Sequence, residues 1–280
     1  MRVITTITAA RWDRPEPAEP VDSPAVAAVN RQLLMTDLRC FELGKRRIAY
    51  RHRTGAEPTL VFLPGYGSDM EGTKAGALDA FAERRGAAML RFDYSGTGAS
   101  GGRFEDGTLA LWLEDALAAV DQLTEGPLIL VGSSMGGWIA LHLALLRPER
   151  VKALVGIAAA PDFTDWGFSA EQKATLQAEG QIEEPNPYGP EPSVFTHAFW
   201  ESGQRLLLLN REIAVDCPVR LLHGEGDEEV PLDIAFRTMR AIRSGDVQLT
   251  ILKRGGHRLS EPHEIDTILR TVAGLMELVP

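Results

Sequence analysis

Gly132-Ser133-Ser134-Met135-Gly136 sets a serine between two glycines, after an apolar run, Leu128-Ile129-Leu130-Val131, and before a helix-like one, Trp138 to Leu146. A serine hydroxyl is a weak nucleophile until a base reaches it and the backbone holds it exposed, and a sharp strand-to-helix turn meets the second need. Flanking glycines let that turn form, and the helix start supplies free N–H groups and a positive dipole end where an oxyanion would develop. The chemistry on offer is acyl transfer through a covalent intermediate on Ser134. The plainer alternative is a small residue at a tight junction. Ser133 is a poorer nucleophile, since Val131 and Met135 rather than glycines stand two positions away.

A second match to the same spacing, Gly98-Ala99-Ser100-Gly101-Gly102, lacks a preceding strand and a following helix. The overlapping Gly96-Thr97-Gly98-Ala99-Ser100-Gly101 has the form of a dinucleotide loop. That loop wants an acid at a strand end about 20 residues on, and Asp121 falls within a helical pattern instead. Both matches read as one tight structural loop.

The serine requires a general base, and the base an orienting acid. Among six histidines, His257 follows the last strand-like segment through Lys253-Arg254-Gly255-Gly256, a flexible turn at a strand's carboxyl end, and is the candidate base. His263, after Pro262 at the closing helix, is the alternative. His52 lies far upstream, His142 sits mid-helix in an apolar run, His197 lies in a long insertion, and His223 ends a core strand and serves its turn. The acid is sought in His223-Gly224-Glu225-Gly226-Asp227-Glu228-Glu229-Val230-Pro231, where Asp227 follows Gly226 at the tip. Glu225, Glu228 and Glu229 read as solvated loop charges. Two N–H donors are expected for the oxyanion: Met135, just after the nucleophile, and Tyr66 in the turn Leu63-Pro64-Gly65-Tyr66-Gly67, whose plainer reading is a turn and nothing more. Asp93 is expected to brace its own loop. This chemistry calls for no cofactor and no metal.

The elements that must position these groups alternate. Leu38–Glu42 and Arg47–Arg51 form a hairpin pattern around Gly44-Lys45, and Thr59–Leu63 is a buried strand. Helical spacing follows over Ala75–Arg85, Leu109–Leu123, Leu232–Ile242 and Ile265–Leu278. Further strands are expected at Ala87–Arg91, Leu128–Val131, Val151–Ile157, Val219–Leu222 and Val247–Leu252. This is an α/β pattern: a mostly parallel central sheet covered by helices on both faces, with sites at the carboxyl ends of strands. About 60 residues separate Ile157 from Val219, too long for a structureless loop in a compact domain. The segment at about 161–216, carrying Trp166, Phe168, Phe195, Phe199 and Trp200, reads as a small lid over the strand ends. Most of these aromatics are expected to dock it to the core, and one or two to line a pocket.

The 280 residues carry a net charge of −10, which argues against nucleic acid or an anionic membrane surface as partner. Two distant cysteines, Cys40 and Cys217, without CxxC or zinc spacing, suit a reduced, cytoplasmic protein. No apolar run has the length of a membrane span. Pro15, Pro17, Pro20 and Pro24 make residues 1–37 an extended or disordered arm ahead of a domain at 38–280. Asp13, Glu16, Glu19 and Asp22 argue against a transit peptide, and Met35 is a second candidate start. Oligomeric state is not legible.

Five stretches carry a family resemblance: Phe62-Leu63-Pro64-Gly65-Tyr66, Gly72-Thr73-Lys74-Ala75, Arg91-Phe92-Asp93-Tyr94-Ser95-Gly96, Gly132 to Trp138, and His223-Gly224 with Asp227 and Val230-Pro231. From about residue 40 onward the chain resembles the α/β-hydrolase superfamily, and more narrowly the branch around abhydrolase-domain protein ten, an acyl-protein thioesterase and acyl-glucuronide esterase. The order Ser134, Asp227, His257 is the order of that superfamily. The resemblance implies a serine hydrolase acting on small-molecule carboxylic esters or thioesters. The alternatives are an aminopeptidase-like or acyl-transferring relative, and a non-catalytic binding module that kept the fold. Residues 1–37 have no counterpart in the pattern, and the insertion is its least constrained region.

Overall fold

The computed structural model describes residues 37–186 and 189–279. The expected N-terminal arm, Met35 included, lies outside the described residues except for Asp37.

Ten strands and eight helices are built from the described residues. An eight-stranded sheet has the order β1-β2-β4-β3-β5-β6-β9-β10, with β1 Arg39–Leu43, β2 Arg46–Arg53, β3 Ala56–Leu63, β4 Ala87–Phe92, β5 Leu128–Ser133, β6 Val151–Ile157, β9 Val219–Gly224 and β10 Val247–Leu252. β1 and β2 form the expected hairpin, and β2 runs antiparallel to β4; every other pairing is parallel. The hairpin turns at Gly44, whose φ of 62° lies in the left-handed region that glycine enters without a Cβ penalty.

Both faces of the central strands are covered, and their stretches Leu60-Val61-Phe62-Leu63 and Leu128-Ile129-Leu130-Val131 are accordingly apolar at every position. Their side chains alternate strictly. Leu60, Phe62, Ile129 and Val131 point into one core with Leu78 and Phe81 of α1 (Thr73–Arg85) and with Ile268, Val272 and Leu275 of α8 (Pro262–Leu278). Val61, Leu63, Leu128 and Leu130 point into the opposite core, with Trp112 and Val120 of α2 (Leu109–Leu123) and Trp138, Ile139 and Leu143 of α3 (Met135–Leu146). Helix α8 begins three residues before its apolar periodicity does. Pro262 at the first helical position gives up an N–H that would have no partner there, and Glu261 and Glu264 form a reciprocal capping box.

The insertion between β6 and β9 has its own structure: α4 Phe163–Trp166, α5 Ala170–Glu179, an antiparallel hairpin of β7 Gln181–Glu184 and β8 Ser193–Thr196, and α6 His197–Gln204. Pro185, Asn186, Gly189 and Pro190 lie in the connection of this hairpin, with Pro187 and Tyr188 outside the described residues. Buried Asp162, at φ 61°, ties the two ends of the insertion together: its carboxylate accepts from the N–H groups of Leu208 at 2.8 Å and Leu209 at 2.7 Å. The remaining helix, α7 (Leu232–Ala241), packs on β9 and β10.

Candidate active site

Because β3, β5, β9 and β10 run parallel in one sheet, the loops after them open at the same edge. Those four loops carry Tyr66, Ser134, Asp227 and His257.

Ser134 follows the last residue of β5 and caps α3, with φ 52° and ψ −120°. A non-glycine residue there stores strain that its surroundings must hold. They do so through the main chain: Ser134 N–H donates to the Ile157 carbonyl at 2.9 Å, and its own carbonyl accepts from Gly137 at 2.9 Å and Ala160 at 3.1 Å. The glycines have steric causes. A Cβ on Gly132 would overlap the Gly136 carbonyl, one on Gly136 would overlap the Leu63 carbonyl, and one on Gly137 would press into Ala159. Strand, turn and helix therefore pack backbone to backbone, and α3 begins at Met135, whose N–H belongs to the unpaired first turn. Gly65 lies against the same turn: a Cβ there would meet that of Ser134 at 3.3 Å.

The nitrogen His257 Nε2 lies 3.1 Å from Ser134 Oγ, and Nδ1 lies 2.9 Å from Asp227 Oδ2. The other carboxylate oxygen of Asp227 accepts from the N–H groups of Glu229 at 3.0 Å and Val230 at 2.9 Å. Burial pushes the Asp227 carboxyl up, but its hydrogen bond and charge interaction with His257, together with the two N–H donors, hold it below the usual carboxylate range. An ionised Asp227 accepts only, so Nδ1 carries a proton and Nε2 presents its lone pair to the Ser134 hydroxyl. The arrangement can take a proton from serine oxygen and stabilise the resulting imidazolium.

The sequence-derived alternatives fall elsewhere. His263 lies in the first turn of α8. His142 is buried, its Nε2 2.9 Å from the Leu206 carbonyl. Ser100 donates to the Asp93 carbonyl and accepts from Ala49 N–H, and Asp93 braces its loop through the N–H groups of Met70 and Ala99. His223 serves its turn as expected, donating from Nε2 to the Val230 carbonyl at 2.9 Å; the same nitrogen stands 3.5 Å from Asp227 Oδ2.

Ser134 and His257 line a cleft of about 1420 Å³. Phe163, Trp166, Phe168 and Phe195 line it too, so more of the insertion's aromatics face the cleft than the one or two expected; Phe199 is buried as packing. Glu229 departs from the reading of a merely solvated charge, since it lines the cleft with Oε2 3.9 Å from His257 Nε2. Nothing in the loop's composition separates it from Glu228. Lys74 also lines the cleft, donating from Nζ to the Arg258 carbonyl at 2.5 Å. Burial, then the nearby Arg258 charge, lowers the Lys74 ammonium to about 8 against the opposing pull of Glu264. Among the described residues, no group of three or more His, Cys, Asp or Glu side chains could hold a metal ion, and no helix is long and apolar enough to cross a membrane.

A family model for the alpha/beta hydrolase fold matches residues 58–180. The chain is 39% identical over 235 residues to human "Palmitoyl-protein thioesterase ABHD10, mitochondrial", covering 82% of this chain and 76% of that protein. The chain belongs to the α/β-hydrolase family. Among solved α/β-hydrolase structures it resembles mouse alpha/beta hydrolase domain-containing protein 10, with a TM-score of 0.82 and 36% identity over 88% of this chain and 100% of that one. A crystal structure from Agrobacterium vitis S4 superposes with a TM-score of 0.81 at 41% identity, covering 86% and 98% of the two chains. The resemblance read from the five sequence stretches is thus borne out, at the level of the family and of the branch.

Proposed function

We propose that this α/β-hydrolase is a serine-dependent thioesterase and esterase that removes apolar acyl groups through an acyl-enzyme on Ser134. The observation that carries the reading is the single imidazole of His257 joining Ser134 at 3.1 Å to Asp227 at 2.9 Å, across three loops of one sheet edge. The name of the ABHD10 relatives, palmitoyl-protein thioesterase, supports a long-chain acyl thioester as substrate, and so do the aromatic side chains of the cleft.

In this mechanism Ser134 Oγ attacks the acyl carbon while its proton passes to His257 Nε2. The carbonyl oxygen becomes an oxyanion, received by the N–H groups of Met135 and Tyr66. Collapse breaks the bond to sulfur or oxygen, and the imidazolium returns the proton to the leaving thiol or alcohol. Water then gives a proton to His257 and attacks the acyl carbon. A second collapse releases the carboxylic acid and restores the Ser134 hydroxyl. Asp227 keeps its charge throughout and orients the ring.

The test is an acyl-length series carried on matched thiol and alcohol leaving groups, assayed beside aminoacyl anilides, with Ser134→Ala as control. Turnover of acyl thioesters that rises with chain length and falls by about 10⁴–10⁶ in Ser134→Ala supports the reading. Cleavage of anilides alone would replace it with the aminopeptidase-like alternative.

A further inference from the structure

Tyr66 belongs to two parts of the molecule. Its main chain follows Gly65 in the turn after β3, against Ser134. Its side chain is held by the insertion. The ring stacks on Phe195 with centroids 4.7 Å apart and planes 19° apart, and tilts against Phe199 at 4.8 Å. Its hydroxyl donates to the Val194 carbonyl at 2.5 Å. Val194 and Phe195 are consecutive residues of β8, so one strand grips the phenol by its edge and by its face. Trp112 and Phe104 close the remaining sides, both edge-on. Burial, and then the charge of Glu105, raises the phenol pKa far above its ordinary value, so the hydroxyl remains a donor at any working pH.

The turn itself is short of constraints. It lies between Gly65 and Gly67, the latter at φ 64°, and its internal hydrogen bond runs from Ser68 N–H to the Gly65 carbonyl at 3.1 Å. Glycines leave a backbone entropically loose. An oxyanion donor acts only when it is held where charge will develop, and loosening by a fraction of an ångström removes much of its effect. Something outside the turn must therefore hold the Tyr66 N–H.

We infer that Tyr66 is a positioning residue through which the insertion assembles the oxyanion hole: β8, seated on the phenol by hydrogen bond and stacking, fixes the backbone N–H that receives the developing charge. Seating of the insertion and completion of the hole are then one event. This rests on the proposed acyl-enzyme chemistry of Ser134.

Tyr66→Phe keeps the ring and removes only the hydroxyl. Three quantities distinguish positioning from packing: kcat and KM for an acyl thioester, the Ki of a trifluoromethyl ketone of the same chain, whose adduct with Ser134 carries an oxyanion, and the Kd of the uncleaved thioester on a Ser134→Ala background. The expected result is a kcat lower by about tenfold with KM within about twofold, a ketone Ki higher by about the same tenfold, and a Kd unchanged within about twofold. Phe195→Leu loosens the same grip from the other side. It should also raise the ketone Ki, and the double variant should show less than the product of the two effects. Unchanged kcat and Ki in Tyr66→Phe would overturn the inference. So would a Kd that rises in step with Ki, because the side chain would then act in substrate binding. Full turnover in Ser134→Ala would instead remove the proposed function and this inference with it; a silent Tyr66→Phe beside an inactive Ser134→Ala removes this inference alone.

Discussion

His257 meets Asp227 through Nδ1 at 2.9 Å, and this one bond decides which ring nitrogen faces Ser134. Asp227→Asn would offer Nδ1 a side chain that can donate as well as accept, and the ring could then turn its protonated Nε2 toward the serine. We expect kcat to fall by about 10⁴ with the fold intact, measured on an activated ester. The substitution also changes acid stability. The folded-state carboxyl of Asp227 lies below its unfolded value, so its contribution is present above the unfolded pKa and is lost as pH falls through the folded one. Wild type should therefore lose urea resistance on acidification below about pH 4 more steeply than Asp227→Asn.

Ser134 occupies φ 52° and ψ −120°, a region that costs a side-chain-bearing residue about 1–3 kcal/mol. Glycine relieves that strain and alanine does not. Ser134→Gly should be inactive yet melt several degrees above Ser134→Ala, in a pair of thermal scans at one protein concentration. Equal melting temperatures would mean that the strain relieved is no larger than the roughly 0.5–1 kcal/mol of backbone entropy that glycine adds to the unfolded chain.

A Cβ on Gly136 would overlap the carbonyl oxygen of Leu63 and press on that of Pro64, the two residues that lead into the turn bearing Tyr66. Gly136→Ala should cost about 1–3 kcal/mol of stability by overpacking. Folded Gly136→Ala should also show a lower kcat, because α3 and the β3 turn are forced apart on the side where the proposed mechanism seats the substrate carbonyl. Urea midpoints and ester turnover on the same preparation check both parts.

Lys74 is held at about 8 by burial. Between that value and the ordinary lysine range the unfolded chain binds the extra proton and the folded chain does not, so stability rises with pH across this window. Lys74→Met removes the titrating group. Its stability should exceed wild type most at neutral pH, with the gap closing toward about pH 10. Denaturant titrations at pH 7.5 and 9.5 measure the gap. A wild-type advantage at pH 7.5 would show that the Nζ bond to the Arg258 carbonyl outweighs the cost of burying the charge.

The sheet was legible because its central strands are buried on both faces: Leu128-Ile129-Leu130-Val131 can be little else between a helix and a glycine turn. The three groups of the site were legible for a related reason. Ser134 and Asp227 follow such strands within a few residues, His257 follows the half-exposed edge strand β10, and glycines mark the turns that aim all three. Boundaries were less so. α8 starts at Pro262 because a capping box and a proline extend it past its apolar stripe. The insertion was visible only as a gap in the rhythm. Its β7–β8 hairpin is four residues a strand, half-exposed, and held by contacts with Tyr66 that lie 128 residues apart in sequence at Val194. No local pattern encodes such a contact. The same holds for Glu229, whose approach to His257 depends on the fold of a loop with neighbouring carboxylates of the same type.

The most direct test of the central claim is peptide mapping after brief exposure to an alkyl fluorophosphonate. One adduct on the peptide containing Ser134 is expected, formed rapidly in wild type and slowed by orders of magnitude in His257→Gln. Labelling of another residue, or an equal rate in His257→Gln, would contradict the account.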